Sequence, residues 1–279
     1  MIVADLDHVA LAAERQDHLW PRYAGDLGGR WHGAGDSPGF DSAQLLYANG
    51  MKVETLEPHR VAENDFLRRF LDRNGPGPHH LTFKVPDIEA ALAEVERAGF
   101  TPVGVNLADP GWMEAFLHPR EVPGVVVQLA QSSGEGGWWS DPPASLPPPR
   151  PSGPATLVHA AHSVASLDIG LRLFADVLGG AEAGRGEAGD ARWVDLDWPG
   201  GGRVRLLAPN GEGPVGDWLG GRPGRFHHLA FRGPDPAGIP GAKPTAGDQW
   251  VIEPDDNLGT RLVLLAASGG GEDPAGSNR

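Results

Sequence analysis

Cysteine is absent from the 279-residue chain, which excludes disulfides, thiolate metal ligation and cysteine nucleophiles. Basic residues are in deficit: 23 Lys and Arg stand against 37 Asp and Glu, a formal net charge of −14. Spread without long runs, that charge disfavours nucleic acid and anionic membrane as partners, while leaving room for a local basic pocket. Long apolar runs are missing too. No stretch reaches the roughly 18 residues a membrane span needs, and Asp5 and Asp7 stand where a signal peptide would be basic and then apolar. A soluble, cytoplasmic protein is expected. With 40% apolar residues the chain can bury two ordinary cores, so two domains are expected.

What is present is a repeat. Four short strand-like runs open on a histidine: LDHVAL at His8, HHLTFKV at His79 and His80, LVHAA at His159, and HHLAFR at His227 and His228. Their spacing of roughly 70 to 80 residues indicates one supersecondary unit used four times. After the first run, apolar positions at helical spacing lead to Gly28-Gly29, and two strands flank the turn Asn49-Gly50. After His80 the order recurs, with a helix over 88–98 and strands over 114–117 and 125–130. The third unit has a helix over 167–178 and strands over 193–196 and 204–207. In the fourth, PDPAGIPGAKP stands where a helix belongs, and proline breaks it repeatedly. The stretch 133–155 is rich in Pro, Gly and Ser and reads as a linker between a domain over 1–132 and a second over 156–267. Trp138 and Trp139 within it are expected to dock on a domain surface, and the tail 268–279 to be disordered.

Strand parity separates two faces. Val9, Leu11, Leu81, Phe83 and Val85 share an apolar face; His8, Glu54, His80 and Gln128 lie on the other, among small residues. Polar alternation alone would describe a solvated face. The same residue types at the same place in paired units point instead to a site.

LDHVALAA, GMKVETLEP, FLRRFLDRNGPGPHHLTFKVPDIEAALAEVERAGF and FLHPREVPGVVVQLAQ follow one another in the first half. Over residues 5–132 the chain thereby resembles the vicinal-oxygen-chelate (glyoxalase, bleomycin-resistance and dioxygenase) superfamily, and within it the methylmalonyl-CoA epimerases. The second half is similar more weakly, through LVHAAHSVASLDIGLRLFADVLGG and FHHLAFRGPDP. The resemblance implies an α+β fold of four βαβββ modules forming two open barrels. It also implies one divalent ion, Mn, Fe, Co, Ni or Zn, held by His8, Glu54, His80 and Gln128. Open coordination positions would then accept two neighbouring oxygens of a substrate.

The family's base position falls on Gln44, which cannot accept a carbon-bound proton and is left a substrate-binding role. Aligning SAQLLY with WMEAFL sets Glu114 opposite it as the candidate general base. His118 and Pro119 belong to a structural turn. In the second half the ligand positions hold His159, Arg205, His228 and Val263, a set unsuited to a cation, so a degenerate domain is expected there. Arg205 could instead hold an anion.

The function expected is metal-dependent proton transfer next to the carbonyl of a small molecule, isomerase- or epimerase-like. The alternatives are a nonhaem iron dioxygenase, a glyoxalase-type lyase, or a non-catalytic small-molecule binding or resistance protein of the same fold. A monomer acting as a pseudo-dimer and a homodimer are both compatible with the tandem repeat.

Overall fold

The computed structural model describes residues 2–133, 140–245 and 247–266. Trp138, Trp139 and the tail 268–279 lie outside the described residues.

Two eight-stranded sheets account for most of the chain. The first contains β1 (Asp5–Ala12), β2 (Arg30–Ser37), β3 (Gly39–Leu46), β4 (Lys52–His59), β5 (Gly77–Lys84), β6 (Pro102–Asn106), β7 (Trp112–Leu117) and β8 (Val126–Ser132). Its strand order is β2-β3-β4-β1-β5-β8-β7-β6. The second contains β9 (Thr156–Val164), β10 (Ala181–Ala188), β11 (Ala191–Asp197), β12 (Arg203–Pro209), β13 (Gly224–Gly233), β14 (Lys243–Pro244), β15 (Gln249–Ile252) and β16 (Leu262–Ala266). Its order, β10-β11-β12-β9-β13-β16-β15-β14, repeats the first.

Each unit is a strand, a crossover and three further strands. The crossovers are a π-helical segment Pro21–Asp26, α2 (Ile88–Arg97), and α3 (Leu167–Leu171) running on into the π-helical Arg172–Val177. In the fourth unit only the 3-10 turn Pro236–Gly238 remains, as its prolines require. α2 is locally well specified: Asp87 caps it by accepting from the Ala90 amide at 2.9 Å, and Arg97 sits in its last turn. Two helices stand outside the repeat, α1 (Phe66–Asn74) before β5 and α4 (Pro214–Leu219) before β13.

The expectation of two open barrels is corrected by these sheets: one barrel-like sheet is present. In the first sheet, Gly35, Asp36 and Ser37 of β2 and Asn106 of β6 come from opposite edges yet line one cavity of about 570 Å³. That sheet curls into a half-barrel. The second is neither closed nor curled. The eroded fourth unit supplies a physical reason, since its edge strand β14 has two residues and cannot wrap round to β10.

The apolar faces of both sheets meet in one core. Phe83 of β5 packs on Trp198 and Phe174 of the second half, with ring centroids 5.1 and 6.3 Å apart. Tyr47 meets Phe231 at 5.0 Å. The backbones touch at two related places: Gly124 against Gly224, and Gly77 against Gly259. Beside the first, His162 Nε2 donates to the Pro123 carbonyl at 2.5 Å. With the apolar faces used in this way, the polar face of the first sheet is left to form the cavity.

Candidate metal centre

The register of the first sheet gathers the predicted ligands. Ala10 of β1 stands opposite both Glu54 of β4 and His80 of β5, His8 stands opposite Thr82, and Thr82 opposite Gln128 of β8. The β1–β5 register shifts twice, leaving Asp7 of β1 and His79 of β5 unpaired beside the two histidines. Their Nε2 atoms lie 3.3 Å (His8) and 3.6 Å (His80) from the same oxygen, Glu54 Oε2. All three residues are buried.

Neighbours set the state of each imidazole. Asp7 Oδ2 is 2.7 Å from His8 Nδ1, and Lys52 in turn donates to Asp7 Oδ1 at 2.8 Å. Burial alone would lower the His8 pKa; the Glu54 charge and the bond to Asp7 outweigh it and raise the value to about 9. His80 is held well below the usual histidine range by burial, with His79 and His8 pushing the same way. Its Nδ1 lies 2.8 Å from His79 Nδ1, and burial lowers His79 to about 4. One proton is shared across that contact, and in the tautomer that carries it on His80 Nδ1 the Nε2 lone pair faces Glu54. His80 Nε2 is buried and has no hydrogen-bond partner among the described residues.

These features fit a divalent ion. Donor atoms of His8, Glu54 and His80 all lie within 4.8 Å of one another. Two imidazoles and a carboxylate are a borderline donor set, and a carboxylate behind one imidazole is the usual support of a histidine ligand. A second cluster, Asp36, Asp41 and His59, meets the same spacing but is partly exposed, and Arg60 lies 3.2 Å from Asp36. The identity of an ion follows from neither cluster.

Gln128 lines the cavity as well. Its oxygen accepts from the Thr82 hydroxyl at 2.6 Å, and that hydroxyl oxygen is 2.8 Å from His8 Nε2. Its Nε2 donates to Glu114 Oε2 at 2.6 Å, so the carboxamide joins the histidine cluster to Glu114. Trp112 Nε1 donates to the same oxygen of Glu114 at 2.9 Å. Gln44 lies behind the wall and donates to Glu54 Oε1 at 3.2 Å; it is not among the residues lining the cavity. Asp7, His79 and Thr82 are contributors that the sequence reading missed. The doubled histidines at 79–80 and 227–228 were the available signal for His79.

The second half lacks such a centre among the described residues. Arg205 makes a two-pronged ion pair with Asp195, both contacts at 2.7 Å, and stacks over Trp193 at 4.7 Å. A guanidinium so engaged does not offer itself to an anion. His159 and His228 meet each other, Nε2 to Nε2, at 3.2 Å. Val263 brings no donor.

Comparison with known proteins adds an independent line. Residues 7–116 match the Glyoxalase/Bleomycin resistance protein/Dioxygenase superfamily. An ethylmalonyl-CoA/methylmalonyl-CoA epimerase from Cereibacter sphaeroides is 28% identical over 135 residues, which are 47% of this chain and 99% of that protein. The human mitochondrial methylmalonyl-CoA epimerase is 28% identical over 131 residues, 46% of this chain and 73% of that one. A solved mutant of 4-hydroxymandelate synthase from Streptomyces coelicolor aligns with 97% of this chain and 95% of its own, at a TM-score of 0.65 and 15% identity. At that identity the likeness is one of fold. Over its N-terminal half, then, the chain is similar to the glyoxalase, bleomycin-resistance and dioxygenase superfamily and, within it, to methylmalonyl-CoA epimerases.

Proposed function

We propose that the protein is a metal-dependent enzyme that moves a proton next to the carbonyl of a small molecule. The observation that carries this reading is the buried His8, Glu54 and His80 cluster, of which Glu54 and His80 line a cavity that also presents Glu114. His8, Glu54 and His80 would hold the ion, with Gln128 beside them. When bound, the ion would polarise two neighbouring substrate oxygens and acidify the adjoining C–H.

The chain's own residues do the rest. Glu114 takes the proton. Gln128 and Trp112 both donate to its Oε2, which fixes the carboxylate and leaves Oε1 to accept. Gln44 restrains Glu54 from behind, so that carboxylate stays turned toward the histidines. An amide at Gln44 cannot hold a second transferable proton. The arrangement therefore favours isomerisation, in which one base lifts a carbon-bound proton and returns it on the same face at the neighbouring carbon while the hydroxyl proton passes between the two substrate oxygens. Inversion of a centre needs a proton returned from the opposite side.

The test compares Glu114→Gln with His80→Ala in a solvent-deuterium exchange assay on hydroxy-ketones, with metal content read in parallel. The first should keep its metal and lose about 10²- to 10⁴-fold in turnover; the second should lose the metal. Full activity in Glu114→Gln would remove the base from this reading. Oxygen uptake by the metal-loaded protein would favour dioxygenase chemistry instead.

A further inference from the structure

The charge on the cavity wall narrows the substrate class, on the assumption that the reading above is correct. Its sixteen lining residues include four carboxylates, Asp36, Glu54, Asp109 and Glu114, but no lysine or arginine. Glu54 and Glu114 have roles in the chemistry. Asp36, on β2, and Asp109, in the turn before β7, do not; both are exposed, at the rim. Two cations approach and neither serves the cavity. Arg60 is tied between Asp36 at 3.2 Å and Glu63 at 3.7 Å. Lys84 lies over the Trp112 ring, 4.2 Å from its centroid, and donates to the Ser132 hydroxyl at 2.5 Å.

Four aromatic rings form another part of the wall. Phe40, Phe66, Trp112 and Phe116 all face the cavity. Phe40 and Phe66 meet edge to face at 5.6 Å, and Trp112 is fixed through its bond to Glu114. Such rings offer flat apolar area at little entropic cost. The cavity volume of about 570 Å³ suits a small molecule held whole.

A coenzyme A thioester has different needs. It carries a diphosphate and a phosphomonoester, about four negative charges at neutral pH, and phosphates are met by arginine, lysine or a helix N-terminus. Here they would meet Asp36 and Asp109 on a chain of net charge −14. We infer that the substrate is an uncharged carbonyl compound bearing an aryl group and two neighbouring oxygens, and that acyl-CoA thioesters, named for the relatives, are excluded by the acidic rim.

Two readouts on the zinc-loaded full chain separate this inference from the proton-transfer reading. Calorimetric titration compares 2-hydroxyacetophenone with methylmalonyl-CoA, and proton NMR in D₂O follows exchange at the carbon next to the carbonyl. The aryl ketone should bind at least tenfold more tightly. Raising the salt concentration should strengthen the weak binding of the CoA ester and leave the ketone unchanged. The Asp36→Asn, Asp109→Asn double variant should narrow the gap about fivefold, and the salt series on the unaltered protein tests the same repulsion should that variant not fold. Equal or tighter binding of the CoA ester overturns the substrate class, as does failure of the ketone to bind at millimolar concentration. Tight binding of the ketone without exchange upholds the substrate class and overturns proton transfer alone.

Discussion

Three buried histidines show how placement decides what one residue type can do. His8 sits between Asp7 and Glu54, whose charges raise its pKa against burial; His80 has a bare Nε2 and is held neutral. His162, in the second half, also stays neutral: burial lowers its pKa to about 4, against the opposing pull of the Pro123 carbonyl. A free histidine titrates near 6.5. Above that pH His162 is neutral folded or unfolded, and its contribution to stability is fully present. As pH falls below 6.5 the unfolded chain binds the proton first, and stability is lost until about pH 4. At pH 5 the loss is on the order of 2 kcal/mol. Urea midpoints at pH 7.5 and pH 5 should fall further for the unaltered protein than for His162→Gln by about that amount. Equal losses would mean the ring is not the group responsible.

Among the elements, α1 does the least expected work. Leu67 and Leu71 press on Ala10, Ala12 and Leu56, covering part of the polar face that parity assigns to the cavity. Phe66 and Phe70 lie against His79, with ring centroids 5.8 and 4.7 Å away, and so steady the pair to which His80 belongs. Leu67→Ala should cost about 2–5 kcal/mol in denaturant unfolding; a loss below 1 kcal/mol would show that the helix does not pack as described. The ligand strands were legible because histidines recur at one place in each unit and alternation there is clean. α1 carries its apolar residues at helical spacing, at Phe66, Leu67, Phe70 and Leu71, yet lies outside the repeat, so nothing in the repeat required it. The edge strands were harder. β2 reads RWHGAGDS and β10 AEAGRGEA, glycine-rich runs with no alternation to follow. Since edges decide whether a sheet curls, the difference between the two sheets was hidden as well. Asp7 and Thr82 looked like ordinary polar strand residues; only pairing across strands shows what they hold.

For the whole molecule, the two halves are joined chiefly through one apolar core and two glycine contacts. Gly224 lies so close to Pro123 that a methyl group would strike the opposing backbone. Gly224→Ala should therefore destabilise by about 1–3 kcal/mol, as overpacking does, and calorimetric unfolding would check it. An unchanged transition temperature would place the contact elsewhere. Within each sheet, by contrast, every ladder pairs strands from one uninterrupted stretch, β1 to β8 or β9 to β16. Separating the halves would break no ladder, yet it would bare Phe83, Trp198 and their neighbours. Two copies could in principle exchange second halves, since the same apolar faces would meet. The segment between the halves opposes that exchange: Arg150 donates to the Asp26 carbonyl, Trp31 to that of Ser140 at 2.7 Å, and the Ala155 amide to that of Leu27 at 2.9 Å. Held along the first half in this way, the connection directs each second half back onto its own chain, which makes the tandem arrangement a guard against domain swapping.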